Sequence, residues 1–376
     1  MGPVTQHPYD PLATLRGDDG GTFDVFLHGM VFLDIIFTGL AKAPDHGEEI
    51  WSEGMGSCPG GIANLAVATS RLGLRTALGA AFGDDDYGEF CWRTLTEQEH
   101  VNLDHSRRYP GWHSPVTVSL AIGDDRQMVT HGHDAPESAT AMIGTMPRAR
   151  ACLLDLKPDV PLYEDQELTW AAQARQSGSL LFADVGFDPS GRWSPSVLDQ
   201  LQFCHAFMPN AVEAMAYTRT DTPTDALYVL ADRVPLAVVT DGPRGAVAID
   251  SISGEEAQVP ALRVKAIDAT GAGDVFGAAL VLGTLAQWRL ADRLAFASLC
   301  SSLAVQQVGG SLAAPGWGDI ADWWQRIKTL EPDVHAPRAY LDSVRRRYAF
   351  LDEIVPHVPH TAVRRAAATI ARLSDA

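Results

Sequence analysis

One stretch constrains this chain more than any other: Ala266-Ile267-Asp268-Ala269-Thr270-Gly271-Ala272-Gly273-Asp274-Val275-Phe276-Gly277-Ala278-Ala279-Leu280. Val264 to Ile267 reads as the end of an apolar strand, and Val275 to Leu285 as a buried helix. A strand, a glycine turn and a helix in that order are the context an anion site needs. The first N–H groups of such a helix have no intrahelical acceptor, and the helix dipole favours negative charge beside them. Gly271, Ala272 and Gly273 let a phosphate approach those N–H groups closely. Asp274 stands among them, where a carboxylate repels an anion unless it has a task, such as taking a proton from an attacking hydroxyl. The local chemistry points to phosphoryl transfer to an alcohol, with Asp274 as base. Without its flanks, the same Gly-Ala-Gly-Asp reads more readily as an ordinary loop in which Asp274 caps a helix.

The rest of the chain supplies a matching scaffold. Apolar runs at 151–156, 179–185, 204–208, 236–240 and 246–250 are mostly separated by helical stretches at 164–177, 195–202, 211–218 and 224–233. Strand alternating with helix implies parallel βαβ units. The last two runs, split by Asp241-Gly242-Pro243-Arg244-Gly245, read as a hairpin at the sheet edge. Upstream, residues 23–29 read as a first buried strand, and 31–57 as an alternating segment with glycine-rich turns. Residues 61–72 read as an apolar helix opened by Pro59-Gly60-Gly61 and closed by Gly73. A strand from Thr76 to Ala81, a turn at 83–88 and another helix follow, then a hairpin over 115–131 turning at Gly123-Asp124-Asp125. Helices are expected at 274–287, 291–307 and 319–329.

The two ends read differently. Residues 1–21 are rich in Gly, Pro and Asp and read as a loose arm. Residues 337–376 read as two further helices, striped by Tyr340, Val344, Tyr348, Leu351 and Val355 and then by Val363, Ala366, Ile370 and Leu373. The run Arg345-Arg346-Arg347 reads as a solvated face. A length of 376 residues suits two domains or one large α/β domain, and 46% hydrophobic residues allow a sizeable core.

Charge excludes some partners. With 29 basic against 47 acidic residues, the net charge of −18 argues against nucleic acid or an anionic membrane surface. It still permits a small anionic ligand, because local amides and single cations can hold one. The five cysteines, Cys58, Cys91, Cys152, Cys204 and Cys300, are scattered and lack any C-x-x-C pair, as expected of buried thiols in a reducing compartment. The run from Val25 to Leu40 is interrupted by His28 and Asp34 and is too short and polar to span a membrane. No signal-peptide pattern opens the chain, so a cytoplasmic location is expected.

Several phosphate and metal motifs are missing. None of Lys42, Lys157, Lys265 and Lys328 follows a glycine, so there is no Walker A loop. The glycine turn is not the dinucleotide pattern G-x-G-x-x-G, and no H-E-x-x-H, G-x-S-x-G or zinc-like spacing occurs. His131 and His133 read as exposed loop histidines.

The segment Asp268 to Gly277, D-A-T-G-A-G-D-V-F-G, resembles the C-terminal signature of the ribokinase-like (PfkB) carbohydrate kinases. Further matches follow in family order over roughly 23–330. Pro59-Gly60-Gly61 with Asn64, then Ala66-Val67-Ala68 and Arg71-Leu72-Gly73, resembles the N-terminal glycine-pair motif. Gly83-Asp84-Asp85 with Gly88 resembles G-D-D-x-x-G, and Pro209-Asn210-Ala211-Val212-Glu213 resembles P-N-x-x-E. Thr240-Asp241-Gly242 with Arg244-Gly245 resembles the nucleotide-side turn, and Gly309-Gly310-Ser311 a late glycine turn.

That resemblance implies a three-layer α/β/α domain over 22–330 with a small β-sheet lid from about 35–56 and 112–135, a flexible arm over 1–21, and a helical extension over 331–376. It implies ATP-dependent phosphorylation of a sugar or sugar-acid hydroxyl. Asp274 would be the base, and Gly271, Ala272 and Gly273 the anion hole. Asn210 and Glu213 would organise Mg²⁺, mostly through water; Asn210 also fits a helix N-cap. Asp34 would bind sugar hydroxyls, with Gly60, Gly61 and Asn64 lining the same pocket. Thr240, Asp241, Gly242, Gly245 and Gly310 would sit near the nucleotide with Asn210. Asp268 and the carbonyl of Thr270 would help hold K⁺, with turn-capping as the alternative for Asp268. Relatives that dimerise commonly do so through the lid sheet, which leaves a homodimer open for this chain.

The chain departs from the family at the acceptor side. Asn64 follows the glycine pair after only Ile62 and Ala63, one residue fewer than is common. Ile62 stands where ribokinase itself carries a lysine, and Phe32 where it carries a substrate asparagine. These changes argue against ribose and leave a more apolar pocket. Lys157 lies near a substrate glutamate of ribokinase; facing the pocket it would suit an acidic sugar, and otherwise it is a surface lysine. Phe32 and Trp112 could instead stack a nucleoside base, making a nucleoside kinase the main alternative. A non-catalytic ligand sensor on the same fold is a third reading.

Overall fold

A computed structural model describes residues 9–16, 22–122, 125–156, 169–186, 188, 190–365 and 373–374. Its centre is an eight-stranded sheet. In spatial order the strands are Glu255–Val259, Ala246–Asp250, Leu236–Thr240, Ala206–Phe207, Leu180–Asp184, Ala149–Asp155, Phe23–His28 and Thr76–Gly79. From Leu236–Thr240 to Thr76–Gly79 every pairing is parallel. These strands are short and apolar because helices cover both faces, so neither face needs polar residues. The two core clusters lie on opposite faces: Phe26, Cys152 and Phe207 belong to one, Val25, Leu153 and Ala206 to the other.

The expected hairpin of Leu236–Thr240 and Ala246–Asp250 forms, but it is not the sheet edge. Glu255–Val259 adds a further antiparallel strand outside it. Its sequence, Glu-Glu-Ala-Gln-Val, is too polar to read as a buried strand, and that polarity suits an edge.

A second sheet covers one end of the first. Val31–Leu40 lies between Gly54–Gly61, antiparallel, and Val116–Ile122, parallel; Asp125–His131 completes the other side. Gly54–Gly61 is a strand despite four glycines and a proline. Leu33 opposes Pro59 but donates its N–H to Pro115 on the other side, so the proline nitrogen faces away from the ladder and no bond is lost. Ser311 Oγ donates to the Pro59 carbonyl at 2.5 Å, tying this sheet to the body.

The helix Ala272–Leu285 is buried continuously from Val275 to Gly283 and packs against Leu290–Ala304. A helix apolar on all sides needs cover on all sides. The C-terminal helices belong to the same core: Val344, Tyr348 and Leu351 in and after Arg338–Arg347 are buried in it. Arg345 donates to the carbonyls of Ile327 and Leu330, and Arg347 to that of Pro260, so part of the basic run binds the body rather than solvent. The second expected stripe ends differently. Leu373–Ser374 is a strand that pairs with Met55 and Gly54 at the second sheet, and Ala366 and Ile370 lie outside the described residues. Among the described residues no helix is long and apolar enough to cross a membrane.

Within the segment read as a loose arm, residues 9–16 are docked. Leu12 is fully buried, and Tyr9 stacks edge-on against Trp317 at 5.1 Å. Arg16 forms ion pairs with Asp10 and with the fully buried Asp24, its Nε donating to Asp24 at 2.9 Å. The Arg16→Ala variant therefore leaves a buried carboxylate short of its main partner, and we expect a loss of about 3 kcal/mol in urea unfolding. A free arm would give no change.

Candidate active site

The glycine turn begins the helix Ala272–Leu285. Gly271, its N-cap, has φ 72°, a left-handed conformation, and a Cβ there would come within 2.8 Å of Gly310 Cα. Glycine is required on both counts. Asp268 clamps the approach: Oδ1 accepts from Thr270 N at 2.8 Å and Thr270 Oγ1 at 2.5 Å, and Oδ2 from Gly309 N at 3.0 Å. Asp268 is thus a turn clamp, joining the loop before the helix to the late glycine turn. The first N–H groups of the helix project from this fixed end.

Asp274 lies in the first turn. Asn64, on the helix Ile62–Arg71, donates from Nδ2 to Asp274 Oδ2 at 3.2 Å. Burial pushes the Asp274 carboxyl up to about 7; the Asn64 hydrogen bond opposes this and the nearby Asp155 carboxylate adds to it. Asp184 is pushed well above the usual carboxylate range by burial and by Asp155. Glu213 is raised as well, chiefly by burial. Asp155 and Asp184 pair at the ends of neighbouring strands, which brings them beside Asp274 electrostatically. Sequence reading missed both, although each ends an apolar run at the carboxyl end of a parallel strand, where α/β ligands bind.

On the other side of the helix start lies a cleft of about 120 Å³. Thr240, Gly242 and Gly245 line it together with Ala272 and Gly273 of the turn. Asp241 shapes that wall through a bidentate pair with Arg244 at 2.5 and 2.6 Å. Phe276, Ser298, Ser301 and Ser302 also line the cleft and were not read from sequence. The only hint of the three serines is a run of small hydroxyl residues in an otherwise apolar helix, Leu290–Ala304.

Asn210 and Glu213 sit beside Thr240, whose N–H donates to the Pro209 carbonyl. They form a reciprocal capping box: Asn210 Oδ1 accepts from Glu213 N and Glu213 Oε2 from Asn210 N, both at 3.0 Å. Their donors are oxygens, which suit a hard cation that keeps most of its waters. Among the described residues no three acidic, histidine or cysteine side chains converge into a full metal cage.

The residues expected at the acceptor lie on or beside the second sheet. Asp34 lies against Gly60, where a Cβ would overlap its carboxylate, so only glycine admits Asp34 here. Gly61 begins the helix that carries Asn64, and its neighbours include the Phe32 ring. Gly310 lies beside Asn64 and Gly271, linking the late glycine turn to both. Lys157 lies outside the described residues. Trp112 donates to the Asp134 carbonyl at 3.1 Å and meets Tyr109 edge-on. His131 is in ring contact with His133 and with His113, a neighbour the sequence did not suggest.

Fold and site together define an α/β protein whose glycine turn and helix start adjoin a cleft at the end of a parallel sheet. Residues 41–316 match the pfkB family of carbohydrate kinases. The chain is 29% identical to the ribokinase of Schizosaccharomyces pombe over 291 residues, covering 72% of this chain and 89% of that one. It is 28% identical to the fructokinase of Klebsiella pneumoniae over 293 residues, covering 70% and 91%. A putative ribokinase II from Escherichia coli, solved in complex with ATP and Mg²⁺, superposes with a TM-score of 0.66 at 20% identity, covering 81% of this chain and 99% of that one. The chain belongs to the pfkB family of carbohydrate kinases and is an ATP-dependent carbohydrate kinase of ribokinase-like fold.

A carboxylate must be ionised to accept a proton, and burial raises the pH at which Asp274, the base expected from the sequence, ionises. We expect kcat/KM to fall about tenfold per pH unit below about pH 7. A profile that stays level down to about pH 5 contradicts this.

Proposed function

We propose that this enzyme transfers the γ-phosphoryl group of ATP to a hydroxyl of a sugar or sugar acid, with Asp274 as base and the amides of Gly271, Ala272 and Gly273 as anion hole. One observation carries the reading: Ala272 and Gly273 line the cleft shared with Thr240, Gly242 and Gly245, while Asp274, one residue further, bonds to Asn64 of the glycine-pair helix. The helix start thus stands between a nucleotide side and an acceptor side. Thr240, Asp241, Gly242, Gly245 and Gly310 are assigned to the nucleotide side, and Asp34, Gly60, Gly61 and Asn64 to the acceptor.

In the reaction Asp274 takes the hydroxyl proton as the acceptor oxygen bonds to the γ-phosphorus. The bond from that phosphorus to the β,γ-bridging oxygen breaks, and ADP leaves. The first-turn amides hold the charge on the transferring group without reorganising. Asn210 and Glu213 would hold hydrated Mg²⁺ beside the phosphates, consistent with their oxygen donors. When bound, the ion offsets phosphate charge.

The Asp274→Asn variant removes the proton acceptor but keeps shape and size. Sugar-dependent ADP release should fall by about 10³-fold, with ATP affinity changed little. An Asp274→Asn enzyme with near-normal turnover would remove Asp274 from the role. A thermal-shift screen with an ATP analogue and Mg²⁺ addresses the acceptor. A sugar or sugar acid at about 100 times its Kd should stabilise the protein by about 2.7 kcal/mol. A response to nucleosides alone would favour the nucleoside kinase reading.

A further inference from the structure

We propose that Asn64 is a positioning residue for Asp274: its amide holds one carboxylate oxygen so that the other is presented to the acceptor hydroxyl. This rests on the reading of Asp274 as the base. The two residues are 210 positions apart in sequence, yet Asn64 Nδ2 lies 3.2 Å from Asp274 Oδ2. A carboxylate can only accept, so the amide nitrogen must face it, which fixes the orientation of the amide. With Oδ2 held, rotation of the Asp274 carboxyl is restrained, and Oδ1 is the oxygen left for the incoming proton.

The other end of the amide supports the same role. Asn64 is only 7% exposed, and its Oδ1 is buried without a hydrogen-bond partner among the described residues. A buried acceptor is normally satisfied. A second hydroxyl of a polyol acceptor is a donor of the right kind, so binding the acceptor would complete the bonding of Asn64 and stiffen its grip on the base. Space for this arrangement depends on Gly310, where a Cβ would come within 2.5 Å of Asn64 Oδ1.

Asn64 is also carried rigidly. At the end of its helix, Arg71 is buried and bidentate to Glu99 at 2.7 and 2.8 Å. Arg71 also donates to the carbonyls of Leu312 and Ala314, at 3.2 and 2.7 Å. The segment that carries Gly310 is thereby fixed to the helix that carries Asn64. The charged group acting on Asp274 from another element is a carboxylate, Asp155 at a strand end; Asp155, Glu213 and Asp274 in turn act on Asp184 at the neighbouring strand end. Asp155 opposes ionisation of Asp274, whereas the Asn64 amide favours it.

The test is the pH dependence of kcat/KM for the full-length enzyme, with kcat and KM for the sugar measured separately. Asn64→Leu keeps the volume and removes the donor. We expect its acidic limb to move up by about one pH unit, and kcat at neutral pH to fall by about tenfold, with ATP affinity retained. Gly310→Ala crowds the amide without removing a polar group and should move the limb in the same direction. It decides the question by itself if Asn64→Leu does not fold. Limbs that stay at the wild-type position, with the loss confined to KM for the sugar, would overturn the proposal and leave Asn64 as a substrate ligand only. That outcome leaves Asp274 as base untouched, since Asp274→Asn tests the base independently.

Discussion

The structure depends on how one helix start is held. The amides at Gly271 to Gly273 can serve an anion only if the turn before them is immobile, and three contacts with two distant segments make it so. Asp268 binds Gly309 N, Gly310 abuts Gly271, and Asn64 reaches Asp274 from the first helix of the domain. Each contact is ordinary in strength. Together they leave the helix end no alternative position, because each partner is itself anchored in the core or by the buried Arg71–Glu99 pair.

Electrostatics explain how an acidic protein handles an anionic cosubstrate. The net charge of −18 is spread over the whole chain, while the cleft offers backbone dipoles at short range. Near them Asp155, Asp184, Glu213 and Asp274 are crowded, and the last three are pushed up in pKa. Such crowding is unfavourable in the empty enzyme. It becomes useful when a proton must be accepted near neutral pH, since a carboxylate at its unperturbed pKa is a weak base.

Much of this was legible in the sequence. The run from Ala266 to Leu280 announces turn and helix because each has its own composition, although the strand expected at Val264 to Ile267 does not form, and the apolar runs from 151 to 240 give most of the parallel sheet. What escaped reading had specific causes. Gly54–Gly61 carries the residues of a loop, yet it is held as a strand by register with Val31–Leu40. Glu255–Val259 has the polarity of a surface segment because it is an edge. Residues 9–16 look unstructured until Asp24 and Trp317 supply partners from elsewhere in the chain. Asp155 and Asp184 had no motif, and only the sheet brings them to Asp274. Asn210 and Glu213 show the opposite limit: one short motif serves as a helix cap, and the same oxygens are those proposed to face a hydrated cation.

The central claim is direct transfer, in which Asp274 acts on a proton and never carries the phosphoryl group. The most direct measurement is the stereochemical course at phosphorus, using ATP made chiral at the γ-position with oxygen isotopes and sulfur. A single in-line displacement predicts inversion in the sugar phosphate. Net retention would mean two displacements through a phosphorylated enzyme, and would contradict the assignment of Asp274 as a base.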